Sequence, residues 1–345
     1  MKFSFLSKPK KHFPPASEFG FIELRGGESR VVIVPSLGGK LTELFMGGRQ
    51  WLWTSDVIPF ARGIDGTSYV ETGDSGGFDE CFPTVGACRV PGWVRAFGGV
   101  ELPDHGELWC QEPAMEVRTA PDGQRVILTW RGVRFPYRLQ RSVRVAPNGD
   151  VHMGYAAIND GDERLPFLWS SHPLFPLTPH TRLILPEGAR LRVFARHDIE
   201  LGEFRSEHRW PFVRGSGKAF DFVAPFGVAK RYACKLFVDM PEGRATIQEG
   251  EVELSATFDP REVTHIGLWI NKRGWTPFRR EDPYLNFAFE PCIGAPDTLS
   301  DALGDWKSAA WIEPGHERRW SVTWSARRTS AGREADGVGA GTASS

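Results

Sequence analysis

The chain has 345 residues, 41% of them hydrophobic and 25% charged, and its 42 basic and 43 acidic side chains nearly cancel. That composition is ordinary for a globular protein, and the near-zero net charge gives no electrostatic footprint for nucleic acid or an anionic membrane surface. No apolar run is long enough to cross a bilayer. The length would hold two average domains, but large β-sandwiches often use it as one, which is the expectation here.

From the N-terminus, Met1 to Phe13 carries only a short apolar stretch before Lys8, Lys10 and Lys11, too short for a secretory core. Alternation with period two then recurs along the chain and helical periodicity almost never does. Strands are predicted at Phe21 to Leu24, Arg30 to Val34, Lys40 to Phe45, Met115 to Thr119, Val126 to Trp130, Tyr137 to Val145 and Val151 to Ile158. Further strands follow at Ala233 to Val238, Glu251 to Thr257, Ile266 to Ile270, Leu285 to Glu290 and Trp320 to Trp324. Pro121-Asp122-Gly123 and Pro147-Asn148-Gly149 supply tight turns. One helical turn fits, Thr298 to Leu303. Pro59 to Gly106 and Pro173 to Pro225 read as irregular, either binding-site loops or plain surface loops. The Gly-, Ser- and Ala-rich stretch 326–345 reads as a disordered tail, and 1–19 as an N-terminal extension to a single domain over 20–325. Many short strands with tight turns imply an all-β antiparallel sandwich or barrel.

The cysteines Cys81, Cys88, Cys110, Cys234 and Cys292 are odd in number and lack paired metal-ligand spacing. Neither a disulfide framework nor a zinc site is expected, and a reducing cytoplasm is.

Three strings put a titratable group beside a turn residue at the end of an apolar strand. In Pro103-Asp104-His105-Gly106 the glycine lets the backbone turn or approach a ligand closely. In Phe167 to Phe175, Pro173 biases His172 toward an extended backbone, and apolar neighbours would keep its imidazole neutral or poised near neutrality, as a general acid or base requires. In Leu285 to Cys292, Glu290 closes an apolar strand before Pro291, where its pKa could be raised. Each also has a plain structural reading: a loop histidine bonded to a carbonyl, a satisfied core histidine, a rim glutamate.

Taken together, His105-Gly106, His172-Pro173 with Phe175, Glu290-Pro291 followed by Pro296-Asp297, and the closing Glu313-Pro314-Gly315 resemble the aldose 1-epimerase, or galactose mutarotase-like, family. Gly76-Gly77-Phe78-Asp79-Glu80-Cys81-Phe82-Pro83 is similar to a string of the glucose-6-phosphate 1-epimerase branch. The resemblance spans about Phe21 to Ser325. It implies a large antiparallel β-sandwich with Glu290 as base on the anomeric hydroxyl, His172 as acid on the ring oxygen and His105 binding the same region, without metal or organic cofactor. The Glu107-Leu108-Trp109 that follows His105-Gly106 departs from the phosphosugar branch and argues against a phosphate pocket, although Arg62, Arg89 or Arg95 could supply a guanidinium. Asp198, Asp221 and Asp239 are candidates for gripping sugar hydroxyls, and Trp109 and Trp169 for an aromatic platform. The expected substrate-binding set is therefore His105, Trp109, Trp169, Arg89 and Asp239, and the expected partner a small sugar bound by a monomer or homodimer. Two other functions remain open: a carbohydrate-binding or regulatory domain without catalysis, and a glycoside hydrolase or lyase pairing Glu290 with Asp79 or Glu80.

Overall fold

The computed structural model describes residues 16–55, 58–121, 123–215, 217–277 and 284–329. Strand formation follows the alternation closely. Tyr137–Val145 buries every second residue without exception, and pairs antiparallel with Val151–Asn159 from Tyr137 opposite Asn159 to Val145 opposite Val151. Asn148 and Gly149 close that hairpin, the glycine at a φ of 89°. Among the described residues an eight-stranded sheet and a thirteen-stranded sheet pack face to face, all main pairings antiparallel. Between them lies one continuous core that includes Trp130, Leu139, Trp169, Phe287, Phe289 and Trp324. The architecture is an all-β sandwich.

The middle of the larger sheet positions the site. Its strands lie side by side in the order Phe78–Cys81, Trp169–Pro176, Leu285–Ile293, His265–Lys272, Tyr232–Asp239 and Arg190–His197. Because side chains alternate across a sheet, one face of these strands feeds the core and the other is covered by loops and the helical turn Tyr69–Gly73.

Three expectations need correction. Pro173 to Pro225 is not irregular: it holds the strands Thr181–Ile184, Arg190–His197, Glu207–Arg209, Phe212–Arg214 and Ala219–Asp221. These lie towards sheet edges with charges on their solvent side, so alternation of apolar residues is weak there. Pro59 to Gly106 contains the strand Phe78–Cys81, hidden in the sequence because Asp79 and Glu80 are buried, at 3% and 2% exposure. The last strand, Glu317–Arg328, runs past Ala326 into the stretch read as a tail; 330–345 lie outside the described residues, as do 1–15 of the N-terminal extension. The helical turn forms as Leu299–Leu303, with the Thr298 hydroxyl accepting from the Asp301 amide. All five cysteines are free, and no described helix is long and apolar enough to cross a membrane.

Candidate active site

The cross-strand register assembles the site. His172 stands opposite Asp79, and Glu290 opposite Gly267, on the face turned away from the core. The absence of a side chain at Gly267 matters: a Cβ there would lie 2.9 Å from Glu290 Oε2. Glu290 therefore leans across the vacant position towards the next strand, where the Lys235 ammonium donates to both carboxylate oxygens at 2.7 Å. The Ser170 hydroxyl donates to Oε2 from the other side at 3.1 Å. Lys235 also lies 3.1 Å from Asp297 Oδ1.

His105 arrives on a loop. Its φ of 59° and that of Gly106, 69°, make a left-handed turn, and a Cβ on Gly106 would meet the Phe82 carbonyl oxygen at 2.3 Å. Only glycine allows that approach. The imidazole stacks on Tyr69 at 3.8 Å between centroids and meets His172 edge-on at 5.0 Å. Tyr69 is fixed in turn by donating to Asp79 at 2.7 Å, and Asp79 is ion-paired with buried Lys40. His172 Nε2 lies 3.7 Å from Glu290 Oε1. His105, His172 and Glu290 thus converge from three distant parts of the chain. His105 and His172 border a cavity of about 160 Å³ that Asp74, Asp297, Trp269 and Trp275 also line.

The two histidines carry opposite protonation preferences. Burial pulls His172 well below its ordinary value, helped by the neighbouring positive charges of His105 and Lys235. Burial pulls on His105 too, but Asp104, Asp74 and Asp297 outweigh it and hold its value up. Burial raises Asp74 and Asp297 each to about 6. Lys235 is also buried, yet Asp297 and Glu290 keep it firmly charged. The surroundings therefore favour a proton on His105 over one on His172.

Several expected contributors lie elsewhere. Trp169 is on the core face, its indole donating to Glu80 at 2.9 Å. Trp109 supports Tyr69 from behind, edge-on at 5.2 Å, and does not line the cavity. Arg89 is exposed on a hairpin, paired with Glu101 at 3.2 Å, and Arg62 pairs with Glu112. Asp239 shares the site face of its strand with Lys235, but Phe237 intervenes, and Asp239 is held instead by Arg190 at 2.8 Å in a separate depression. Glu80 points into the core and Asp79 is consumed by Lys40 and Tyr69, so neither offers a second free carboxylate opposite Glu290. Glu107 is fully buried, accepting from the Val133 and Arg134 amides and Tyr137; it shapes the loop and does not touch the cavity.

Sequence reasoning missed Lys235, Asp74 and the aromatic pair Trp269 and Trp275, which meet at 5.6 Å between centroids. A signal for Trp269 existed: it is out of phase with Ile266, Leu268 and Ile270, so it belongs to the face opposite the core. Lys235 was equally out of phase within Tyr232–Asp239. Among the described residues no cluster of three or more His, Cys, Asp or Glu side chains is arranged to hold a metal ion.

A large antiparallel sandwich of this topology is the galactose mutarotase-like fold, and comparison with solved structures bears this out. The chain superposes on a galactose mutarotase-like protein from Clostridium acetobutylicum with a TM-score of 0.63 at 12% identity, covering 92% of this chain and 97% of the other. It matches a protein of Escherichia coli K12 provisionally designated an aldose 1-epimerase with a TM-score of 0.62 at 16% identity, over 89% and 99%. A galactose mutarotase related enzyme from Lactobacillus acidophilus gives 0.58 at 12% identity, over 90% and 98%. No protein-family model and no curated protein sequence matches the chain. At such identities the likeness establishes the fold.

Proposed function

We propose that this protein is an aldose 1-epimerase, interconverting the α and β anomers of a sugar by acid–base ring opening. The observation that carries the reading is the meeting of His105 and His172 at one cavity with an aromatic wall, with Glu290 3.7 Å from His172 just behind that wall, from strands and a loop far apart in sequence. Ring opening needs a proton to leave the anomeric hydroxyl and another to reach the ring oxygen. Glu290 takes the first. The histidine pair delivers the second: His105 stores the proton and His172, facing Glu290, presents it to the ring oxygen as the C1–O5 bond breaks. Rotation about C1–C2 and reversal of both transfers close the ring on the other face, leaving the protein unchanged. Trp269 and Trp275 offer flat surfaces to the apolar C–H face of a pyranose.

Polarimetry or saturation-transfer NMR on a panel of aldoses tests this. Glu290→Gln and His172→Asn roughly keep size and delete the acceptor or donor, so each should lower the acceleration by about two to four orders of magnitude, with a thermal melt to confirm that the variant is folded at the assay temperature. Failure of the wild-type protein to speed equilibration of any aldose would overturn the reading. One feature favours a second reading, a sugar-binding domain without catalysis: Lys235 occupies both oxygens of Glu290, and a base so held must first be released by the substrate. Binding without equilibration would select it.

A further inference from the structure

Resting on the sugar-site reading, charge bookkeeping in the cavity narrows the ligand. The charged groups of the wall, together with Glu290 directly behind it, form two clusters. Around His105 stand Asp104, 3.1 Å from its Nδ1, and Asp74. Around Lys235 stand Glu290 at 2.7 Å and Asp297 at 3.1 Å. Each cluster holds two carboxylates and one cation. The adjoining Lys40–Asp79 pair is internally neutral. Among the described residues no arginine lines the cavity.

The excess carboxylates are built in. Asp74 is 8% exposed, no cation among the described residues forms an ion pair with it, and its Oδ1 is buried without a hydrogen-bond partner. Asp297 Oδ1 has the nearby Lys235 charge but likewise no hydrogen bond. Burying a carboxylate without a partner costs stability unless something supplies the missing donor or charge. A phosphate or carboxylate on the sugar would add to the excess, whereas an ammonium group would cancel part of it.

We infer that the cavity is selective for a cationic sugar: an aldose bearing a free amino group binds in preference to its neutral parent, and phosphorylated or uronic sugars are rejected. Asp74, the carboxylate without an ion pair, is the group that meets the ammonium.

Isothermal titration at pH 7.5 with D-glucosamine, D-glucose, N-acetyl-D-glucosamine, D-glucose 6-phosphate and D-glucuronate, repeated for the galactose and mannose series, tests the charge order on the wild-type protein. N-acetylation removes the charge and so serves as the control for size. The expected result is an amino sugar bound at least about tenfold more tightly than its parent and its N-acetyl derivative, a margin that falls as salt is raised and shrinks several-fold in Asp74→Asn. An amino sugar no tighter than its parent in every series, or a phosphate or uronate equal to the neutral sugar, would overturn the inference. NMR equilibration rates on the same samples keep the two claims apart. Tight binding of an amino sugar without faster equilibration supports the charge preference and sinks the epimerase reading; acceleration of neutral aldoses with no charge preference does the reverse.

Discussion

Asp74 illustrates how one side chain can link stability to function. Its carboxyl is held at about 6 in the fold against an ordinary 3.8, chiefly by burial. A raised acid binds its proton more readily folded than unfolded, so the charged form is a burden to the fold above pH 6. That burden is relieved as pH falls from about 6 towards 4, where the folded state takes up the proton first. The shift corresponds to about 3 kcal/mol at neutral pH, at about 1.4 kcal/mol per tenfold. Asp74→Asn is therefore expected to stabilise the protein by about 1–3 kcal/mol at pH 7.5 and to lose that advantage near pH 4, as urea unfolding at several pH values would measure. Stability given up at a residue that serves binding, the role proposed for Asp74, is a common trade. Lys235 shows the opposite case. Lys235→Met would leave Glu290 buried beside Asp297 with no ammonium and should destabilise by about 3–5 kcal/mol, whereas Lys235→Met with Glu290→Leu should recover much of the loss in a thermal melt.

At the scale of single strands, Gly267 decides where Glu290 points. An added methyl group would press on Glu290 Oε2 at 2.9 Å, Phe237 at 3.3 Å and Cys292 Sγ at 3.4 Å. The nearest of these is the far end of a movable side chain, so Gly267→Ala should cost the fold little. Displacing a base by about an ångström can still cost up to about a hundredfold in rate; anomer equilibration should fall at least tenfold with an almost unchanged melting temperature. Strands of this kind also mark the limit of what the sequence discloses. Tyr137–Val145 was legible because its alternation is complete, and Glu290 because it breaks an apolar run just before Pro291, although the strand does not end there as expected and continues through Pro291 to Ile293. Phe78–Cys81 was not, because its buried charges are cancelled by Lys40 and Arg141, residues remote in the chain. Lys235 carries no signal in the sequence beyond its phase, because its partner Glu290 lies two strands away in the sheet and far off in the chain. Trp169 was misassigned to the cavity because a strand's phase, not its nearness to His172, decides which face a side chain takes.

On the scale of the whole molecule, the two sheets are joined by an ionic contact as well as by apolar packing. Glu80 of the larger sheet meets Arg141 of the smaller at 3.1 Å, both fully enclosed, and Tyr155 and Trp169 complete the carboxylate's hydrogen bonds at 2.8 and 2.9 Å. Arg141→Met removes the only ion-pair partner of Glu80 among the described residues and is expected to cost about 3–5 kcal/mol, read as a lower urea midpoint with an unchanged slope. Arg141→Met with Glu80→Gln should recover part of it. The sheet order has a further consequence, for biosynthesis. Leu285–Ile293 lies between Trp169–Pro176 and His265–Lys272 and pairs with both. A chain emerging from the ribosome therefore carries the open edge of Trp169–Pro176 until that late segment is made, joined shortly before by the edge of His265–Lys272, and both close when the segment is inserted. Open edges recruit other chains, so a product cut short before Leu285 would be sticky and would lack Glu290 and the strand that carries it, never a partly working version of the protein.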